Sequence, residues 1–290
     1  MEDHPAYLET SQSGKLKKIA EQLFNSLESC VICPRKCKVN RLKNKVGFCK
    51  TGKSAKVYSF MCHHGEEPAV SGSFGSGAIF FSHCNMGCVY CQNYEFSQKG
   101  AGPVRSPAAR GATSDGAGRE YTFDELAGLM LKLQGLGCHN INLVTPTHVL
   151  PQILLSLELA ISQGLKIPLV YNTGGYELAE IIKLLDGIVD IYLPDMRYAD
   201  SAVSQKLSLA SDYPEYNQEA VKEMHRQVGP AEFDAAGLIR RGLIIRHLVL
   251  PNQLSGTDKI MQFIAKEIYE DTYISLMSQY LPYHQASLFP

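Results

Sequence analysis

Three cysteines close together in the sequence are the residues best suited to chemistry. Cys84, Cys88 and Cys91 follow the spacing Cys-x3-Cys-x2-Cys, directly after the apolar run of residues 77–81. This pattern predicts a strand that ends in a metal-binding loop. Four thiolates normally saturate an iron–sulfur cubane, so three thiolates leave one iron open to a small molecule. A structural zinc site normally closes with four ligands, so a three-ligand site indicates chemistry at the open position.

The same residues also fit a cysteine-rich zinc loop or a set of buried structural thiols. Soft thiolate ligands select either zinc or iron–sulfur clusters, and only geometry separates the two. Tyr90 stands directly before Cys91. With this aromatic residue, the loop resembles the Cys-x3-Cys-x-aromatic-Cys signature of the radical S-adenosylmethionine (SAM) superfamily, and the resemblance favours the cluster.

Within that superfamily the chain resembles the branch related to pyruvate formate-lyase activating enzyme. The resemblance implies one 4Fe–4S cluster on the three cysteines, with the open iron chelating the amino and carboxylate groups of SAM. It also implies that the reduced cluster cleaves SAM to methionine and a 5′-deoxyadenosyl radical, which abstracts a hydrogen atom from a substrate.

The resemblance extends to the ends of the later strands, with departures. Thr145-Pro146-Thr147-His148 stands where the activating enzymes carry Gly-Gly-Glu, as in a subgroup of uncharacterised iron–sulfur proteins related to them. Asn172-Thr173-Gly174-Gly175 matches Asp-Thr-Asn-Gly in part, and Asp195-Met196-Arg197 matches Asp-x-Lys. With an arginine of the fifth strand, the cofactor-binding residues implied in this way are Tyr90, Thr145, Thr147, His148, Asn172, Thr173, Asp195, Arg197 and Arg246.

Each of these residues also has a purely structural interpretation. Asp195 and Arg197 could form a strand-end ion pair, which is worth ~0–1 kcal/mol when it is exposed. Asn172 could cap a turn, since Asn and Gly favour turns. A lone histidine such as His148 or His247 is more often a satisfied structural group than a ligand, although histidine transfers protons readily near neutral pH.

Four further cysteines form a second group near the N-terminus. Cys30, Cys33, Cys37 and Cys49 follow the spacing Cys-x2-Cys-x3-Cys-x11-Cys. Zinc fits as a closed site with four thiolates, and a second 4Fe–4S cluster fits equally well by count. The surrounding lysines and arginines would offset thiolate charge or form a small basic patch. Nucleic-acid binding is not expected, because no set of aromatic residues for base stacking accompanies the patch.

The composition bounds the class of protein. The 290 residues are 45% hydrophobic with a formal net charge of −1, which indicates a sizeable core and no polyanion-binding surface. The N-terminus lacks a signal-peptide pattern, and no apolar run reaches the ~20 residues that span a bilayer. We therefore expect a cytoplasmic protein without a membrane partner, whose nine cysteines are metal ligands rather than disulfides. Cys62 would be a spare buried thiol, and Cys138 a packing or surface residue.

Short apolar segments alternate with amphipathic ones from residue 78 onward, which indicates a parallel sheet with right-handed crossovers. An eight-unit barrel needs ~250 residues, more than this region contains, and only six units can be recognised. We therefore expect an α/β fold: a partial, laterally open (β/α)6 TIM-like barrel with a small N-terminal Cys-rich head. The predicted strands are 78–82, 140–144, 167–171, 188–193, 243–250 and 273–277.

Three regions follow from this pattern. Residues 1–57 form the Cys-rich head, which includes an amphipathic helix over 15–27, and residues 58–77 are a connection rich in Gly and Ser. Residues 78–290 form the radical SAM core domain, with a surface insert over 100–119. Thr122 caps the next helix, with Glu125 three residues on. Further helices are predicted over 151–163, 177–185, 258–269 and, broken near Pro214, over 200–228.

The functional expectation is a radical SAM enzyme with SAM, an electron donor such as flavodoxin or ferredoxin, and a substrate. By resemblance, the reaction is activation of a partner enzyme through a glycyl radical, so that a protein is one candidate substrate. One alternative is radical modification of a peptide or small molecule. Another is a non-enzymatic iron–sulfur or zinc-binding protein.

Overall fold

The computed structural model describes residues 4–99 and 118–289. The strands are Ala55–His63 (β1), Ser76–Phe81 (β2), Arg119–Tyr121 (β3), Ile141–Val144 (β4), Leu169–Thr173 (β5), Ile191–Pro194 (β6), Glu232–Phe233 (β7), Ile239–Leu248 (β8) and Tyr273–Met277 (β9). The α-helices are Tyr7–Gln12 (α1), Lys15–Asn25 (α2), Pro68–Ser71 (α3), Phe123–Gly135 (α4), Leu150–Ser162 (α5), Ala179–Ile182 (α6), Ser201–Ser208 (α7), Tyr213–Val228 (α8) and Thr257–Phe263 (α9).

Six of the described strands pair in parallel, in the order β2-β4-β5-β6-β8-β9. β4, β5 and β6 are buried along their whole length, as is typical of parallel strands covered by helices. In the sheet register Val144 pairs with Asn172, and Asn172 with Leu193, so the carboxyl ends of these strands lie side by side. The mixed α/β fold with a mostly parallel sheet is therefore confirmed.

Antiparallel strands extend the sheet at its two sides. β1 pairs with β2 and β3 with β1, while β7 pairs with the first half of β8. The predicted connection over 58–77 is therefore wrong in its first part, because β1 continues to His63. A strand whose buried residues are confined to its first five positions gives a weak local signal. Within the described residues no pairing joins β9 to β1 or β3, so the sheet has open edges.

The N-terminal helices belong to the main core. Leu16, Ile19 and Leu23 of α2 are buried in the same cluster as Leu154 and Leu157 of α5. A separate small cluster centres on Leu27, Cys30 and Ile32, where the cysteine-containing segment begins. The domain boundary at residue 57 stays a prediction, but the helices before it pack with the core domain.

Several helix predictions are confirmed in type and position. Thr122 caps α4, and its side chain and that of Glu125 form a reciprocal capping box. The break near Pro214 is the junction of α7 and α8, with this proline in the first turn of α8. The predicted insert over 100–119 lies outside the described residues except at its end, where Arg119 begins β3. No helix in the described residues is long and apolar enough to cross a membrane.

The two cysteines outside the N-terminal group and the Cys-x3-Cys-x2-Cys loop do not remain free. Cys62 and Cys138 form a disulfide with a Cα–Cα distance of 5.9 Å, so the predictions of a spare thiol and of no disulfides are wrong. Cys62 pairs with Gly77 across β1 and β2, and the segment that carries Cys138 packs against Gly77. The sequence separation of 76 hides this contact from a reading of the sequence.

Candidate functional site

Residues 82–91, the cysteine loop, follow β2 and are fixed by backbone hydrogen bonds. The Gly87 amide donates to the Ser208 carbonyl (3.1 Å) and the Val89 amide to the Leu207 carbonyl (2.9 Å). His83 has a φ of +72° and donates its amide to the Phe96 carbonyl (2.9 Å). The end of α7 therefore holds the loop at the carboxyl edge of the parallel strands.

Each thiol of the cysteine loop has a polar neighbour. Cys84 Sγ accepts the Met86 amide (3.3 Å), and Cys91 Sγ lies 3.2 Å from Ser97 Oγ. Cys88 Sγ accepts both the Ser208 hydroxyl (2.9 Å) and Arg197 Nη1 (3.4 Å). Donors directed at sulfur stabilise the thiolate form, which is the form that binds metal.

The protonation of these thiols fits a metal-binding loop. Burial, and then the charge of Cys88, raise the pKa of Cys84 and of Cys91 above the ordinary range for a thiol. Metal binding would therefore release protons from these cysteines, because a ligating cysteine is a thiolate.

The donor set fits a cluster better than a single ion. Within residues 4–99 and 118–289, no three Cys, His, Asp or Glu side chains lie close enough together to hold one metal ion. A cubane binds each thiolate to a different iron, so its thiolates lie farther apart. Three thiols on one short loop, with donors to their sulfurs, suit a 4Fe–4S cluster.

A chain of hydroxyl groups leads from Tyr90 to Cys88. Tyr90 and Tyr198 lie 2.6 Å apart through their hydroxyls, and Tyr198 lies 2.6 Å from Ser208 Oγ. Because Ser208 gives its proton to Cys88, its oxygen accepts from Tyr198, which in turn accepts from Tyr90. Sequence reasoning missed Tyr198 and Ser208 in this role, since only tertiary packing brings α7 to the loop.

A cleft of about 810 Å³ opens beside the cysteine loop. Its lining includes most of the predicted site residues: Tyr90, Cys91, Thr145, Asn172, Thr173, Asp195, Arg197 and Arg246. Thr145 has a φ of +61°, a strained conformation for a β-branched residue of the kind that clusters at functional sites. The carboxyl ends of β4, β5, β6 and β8 thus contribute to one site.

Arg197 is positioned by the ends of two strands and by α8. It forms an ion pair with Asp195, as the structural interpretation expected, and it also donates to Cys88. The Arg197 amide donates to the Tyr213 hydroxyl (3.1 Å). Asn217 Nδ2 reaches both the Gly175 (3.0 Å) and Asp195 (2.9 Å) carbonyls. A Cβ at Gly175 would collide with the Asn217 amide, so this turn requires glycine.

Arg246 is held by two carboxylates that the sequence analysis missed. It forms ion pairs with Glu66 and Glu67 and donates to Asn172 Oδ1 (3.3 Å). Burial alone would raise the pKa of Glu67, but its hydrogen bonds from Arg246 hold that pKa below the ordinary range. Both glutamates lie between β1 and α3 and line the cleft.

Thr147 and His148 are the predicted cofactor-binding residues that do not line the cleft. After Thr145 the chain enters a 3-10 turn, Thr147–Val149, which directs both residues into the interior. His148 is fully buried, with Nε2 2.8 Å from the Ser82 carbonyl, and burial lowers its pKa to about 3. His247 is also buried, between the Met196 carbonyl and Thr257.

Glu177 is a buried carboxyl group directly beneath the cleft. Its Oε1 accepts the hydroxyls of Thr147 and Thr173, each at 2.5 Å. Burial raises its pKa to about 7, although these hydrogen bonds act in the opposite direction. Glu177 therefore keeps a proton through the acidic range and fixes the orientation of Thr173, a residue of the cleft wall.

Comparison with known proteins identifies the family. A model of the radical SAM superfamily matches residues 78–252, more than half of the chain. The chain belongs to the radical SAM superfamily. It is also similar to an uncharacterized protein of Methanocaldococcus jannaschii, with 31% identity over 276 residues that cover 94% of this chain and 71% of that protein. As members of this superfamily do, the chain binds a 4Fe–4S cluster and SAM, and the expectation drawn from the cysteine loop is confirmed at that level.

The second cysteine group lies against the radical SAM site. Cys30, Cys33, Cys37 and Cys49 line one small cavity, together with His148. Arg35, between the second and third of these cysteines, donates from Nε to the Asn85 carbonyl in the cysteine loop (2.9 Å). The Arg35 guanidinium also stacks on Phe48, 3.8 Å from the ring centre.

Replacement of Glu177 by glutamine should change how stability depends on pH. The folded protein keeps a proton that the unfolded chain releases, so the free energy of unfolding falls as pH rises from about 4.5 to about 7. The total loss is roughly 3 kcal/mol. In thermal unfolding at pH 5 to 8, Glu177→Gln should lack this loss, while the exposed Glu180→Gln should follow the unmodified protein. If the stability of Glu177→Gln depends on pH in the same way as that of the unmodified protein, Glu177 does not keep a proton in the folded state.

Replacement of Ser208 by alanine should lower the reduction potential of the cluster. In the unmodified protein, the hydrogen bond from Ser208 to Cys88 stabilises the reduced cluster, which is the more negative form, by about 1 kcal/mol. Loss of this bond therefore lowers the potential by roughly 40 mV for one electron. An anaerobic redox titration followed by electron paramagnetic resonance measures the shift. Ser204→Ala is the matched control, because Ser204 is equally buried on α7 but bonds to the Ser201 carbonyl. Equal potentials in both variants would show that the Ser208 contact has no such effect.

Proposed function

We propose that this chain is a radical SAM enzyme that abstracts a hydrogen atom from a large substrate, and that its core is a partial, laterally open (β/α)6 barrel. The observation that carries the proposal is the cysteine loop at the edge of the cleft, with donors already directed at the Cys88 sulfur. When bound, the cluster and SAM supply a 5′-deoxyadenosyl radical by reductive cleavage of SAM.

In this proposal the cleft residues bind and orient SAM. The described lining carries four carboxylates, on Glu66, Glu67, Glu95 and Asp195, against the two guanidinium groups of Arg197 and Arg246. SAM has one carboxylate, one ammonium and one sulfonium group, so its net positive charge suits this excess of carboxylates. Arg197 is the cation nearest the cysteines and would bind the SAM carboxylate, while Tyr90, Thr145, Asn172 and Thr173 would complete the site.

The shape of the cleft supports a polypeptide substrate. Its lining includes Tyr58, Met61 and His63 of the edge strand β1, and Ser275 and Met277 of β9. The gap between the open edges of the sheet therefore leads into the cleft, and a polypeptide segment could enter there. Activation of a partner enzyme through a glycyl radical fits this geometry, as does modification of a peptide.

The proposal also requires a reductant and a reducing compartment. We infer a one-electron donor of the flavodoxin or ferredoxin class, and a cytoplasmic location, where the seven cysteines outside the Cys62–Cys138 disulfide stay available as metal ligands. Exposed lysines of the cysteine-containing segment, among them Lys36, Lys38 and Lys45, offer a surface for an acidic donor.

A SAM-cleavage assay tests the enzymatic function. The reconstituted protein, reduced anaerobically, should release methionine and 5′-deoxyadenosine, and Cys88→Ala should abolish this release because it removes one cluster ligand. The double variant Cys62→Ser/Cys138→Ser is the control, since its cysteines lie in the disulfide. Deuterium transfer from labelled lysate proteins into 5′-deoxyadenosine then identifies a polypeptide donor. Full cluster absorbance and turnover in Cys88→Ala would overturn the assignment.

The role of Arg197 is tested by SAM affinity. A charge-assisted hydrogen bond to the SAM carboxylate is worth ~1.5–3 kcal/mol, so Arg197→Ala should lower affinity roughly ten- to hundred-fold. Arg197→Lys should lose less, because it keeps the charge. Anaerobic calorimetry on samples of matched iron content gives the affinities. Arg240→Ala, which removes an ion pair with Asp234 outside the cleft, is the control. If Arg197→Ala binds SAM as tightly as this control, Arg197 acts only on Asp195 and Cys88.

A further inference from the structure

We infer that Cys30, Cys33, Cys37 and Cys49 hold a second metal centre, a tetrathiolate site whose negative charge is balanced by the buried guanidinium of Arg41. Within the described residues no three Cys, His, Asp or Glu side chains lie close enough together to hold one metal ion, so the occupant that we infer is a second 4Fe–4S cluster, and the experiment below tests it against zinc. This inference does not depend on the proposed function, because none of Cys84, Cys88 and Cys91 takes part in it.

The first observation is the common cavity. All four cysteines line it, together with Arg41 and His148. Cys30, Cys33 and Cys49 are buried, and Cys37 is half-buried. The residues on either side of Cys37, Lys36 and Lys38, have φ values of +38° and +54°. Residues other than glycine rarely adopt such positive φ values, and backbone strain of this kind is found where a protein binds a ligand.

The second observation is the unbalanced charge of Arg41. This residue is 1% exposed, and its hydrogen bonds run to the Gly52 carbonyl (3.1 Å), the His148 carbonyl (2.8 Å) and Cys30 Sγ (3.7 Å). No carboxylate in the described parts of the chain forms an ion pair with it. A buried charge needs a partner of opposite sign. Four thiolates around a divalent ion or a cubane leave a net negative charge, which Arg41 contacts through Cys30.

The third observation is an unpaired nitrogen on His148. The Ser82 carbonyl can only accept, so His148 Nε2 carries the proton and Nδ1 carries a lone pair. Nδ1 is buried without a hydrogen-bond partner among the described residues. A neutral imidazole nitrogen in a cavity lined by thiols is a common metal neighbour or ligand. His148 thus joins the second centre to Ser82, the first residue of the cysteine loop.

The experiment uses the full chain with Cys84, Cys88 and Cys91 all changed to Ala, so that any metal belongs to the second centre. The protein is loaded anaerobically with zinc alone, or with iron and sulfide. We expect about four irons with acid-labile sulfide per chain. About one zinc ion per chain without iron would overturn the cluster in favour of a mononuclear site. The inference is overturned if the protein holds no more iron and no more zinc than the same protein with a further Cys37→Ser change.

The charge balance is tested in the same background. Arg41→Met should release metal to a chelator at least ten-fold faster than the parent, because the buried negative charge then has no partner. Lys43→Met is the matched control, since Lys43 is an exposed cation of the same 3-10 turn, Arg41–Lys43. Equal release rates in both variants would overturn the role of Arg41. His148→Phe should shift the absorption bands of the centre, and an unchanged spectrum would exclude His148 as its neighbour.

A measurement on the unmodified protein tests the same inference without any substitution, so it does not depend on whether the variants fold. Metal-loaded protein is alkylated with iodoacetamide before and after chelator treatment, and the modified cysteines are mapped by peptide mass spectrometry. We expect Cys37, the half-buried member of the group, to react only after the metal is removed. Alkylation of Cys37 at the same rate in both samples would show that no metal binds there.

Discussion

Negative charge has to be accommodated at the carboxyl edge of the parallel sheet, and the surrounding packing is arranged around that constraint. A thiolate on Cys88 is costly to bury unless donors reach it, and they come from two distant elements. Ser208 closes α7, and Arg197 follows β6. Backbone hydrogen bonds between α7 and the cysteine loop hold Ser208 in place before any ligand binds. The hydrogen bond from the Arg197 amide to the Tyr213 hydroxyl does the same for Arg197. The site is therefore preorganised by the fold.

A comparable arrangement surrounds the second cysteine group on the other side of the loop. There a guanidinium, that of Arg41, contacts a cysteine sulfur from a buried position. The two regions share the cysteine loop as a wall, because Arg35 binds the Asn85 carbonyl and His148 binds the Ser82 carbonyl. A change in the N-terminal segment would thus reach the backbone on both sides of Cys84. The segment that carries the N-terminal cysteines therefore packs against the cysteine loop through Arg35.

Features that depend on a short stretch of residues could be predicted from the sequence, whereas features that depend on contacts between distant residues were missed. The cysteine spacing, the parallel strands and the Thr122 cap each occupy a short window with its own pattern. Glu66 and Glu67 were missed because β1 buries only some of its residues and therefore appeared to be a connection. Thr147 and His148 were placed in the cleft by their distance from a strand end, whereas the 3-10 turn after Thr145 buries them. The Cys62–Cys138 disulfide depends on a pairing of β1 that has no local signal.

The two arginines of the cleft have different tasks, and their partners determine which. Arg246 is saturated by Glu66, Glu67 and Asn172, so it has little capacity left for a ligand carboxylate. Its effect is to keep Glu67 ionised and to fix both glutamates at the cleft wall, where they can face cationic groups. Arg197 pairs with one carboxylate, and its Nε is buried without a hydrogen-bond partner among the described residues. This unused N–H beside Cys88 can donate to a ligand carboxylate at little cost in rearrangement. The cleft thus has two parts: the part near β1 suits cationic groups of a ligand, and the part beside the cysteines suits a carboxylate.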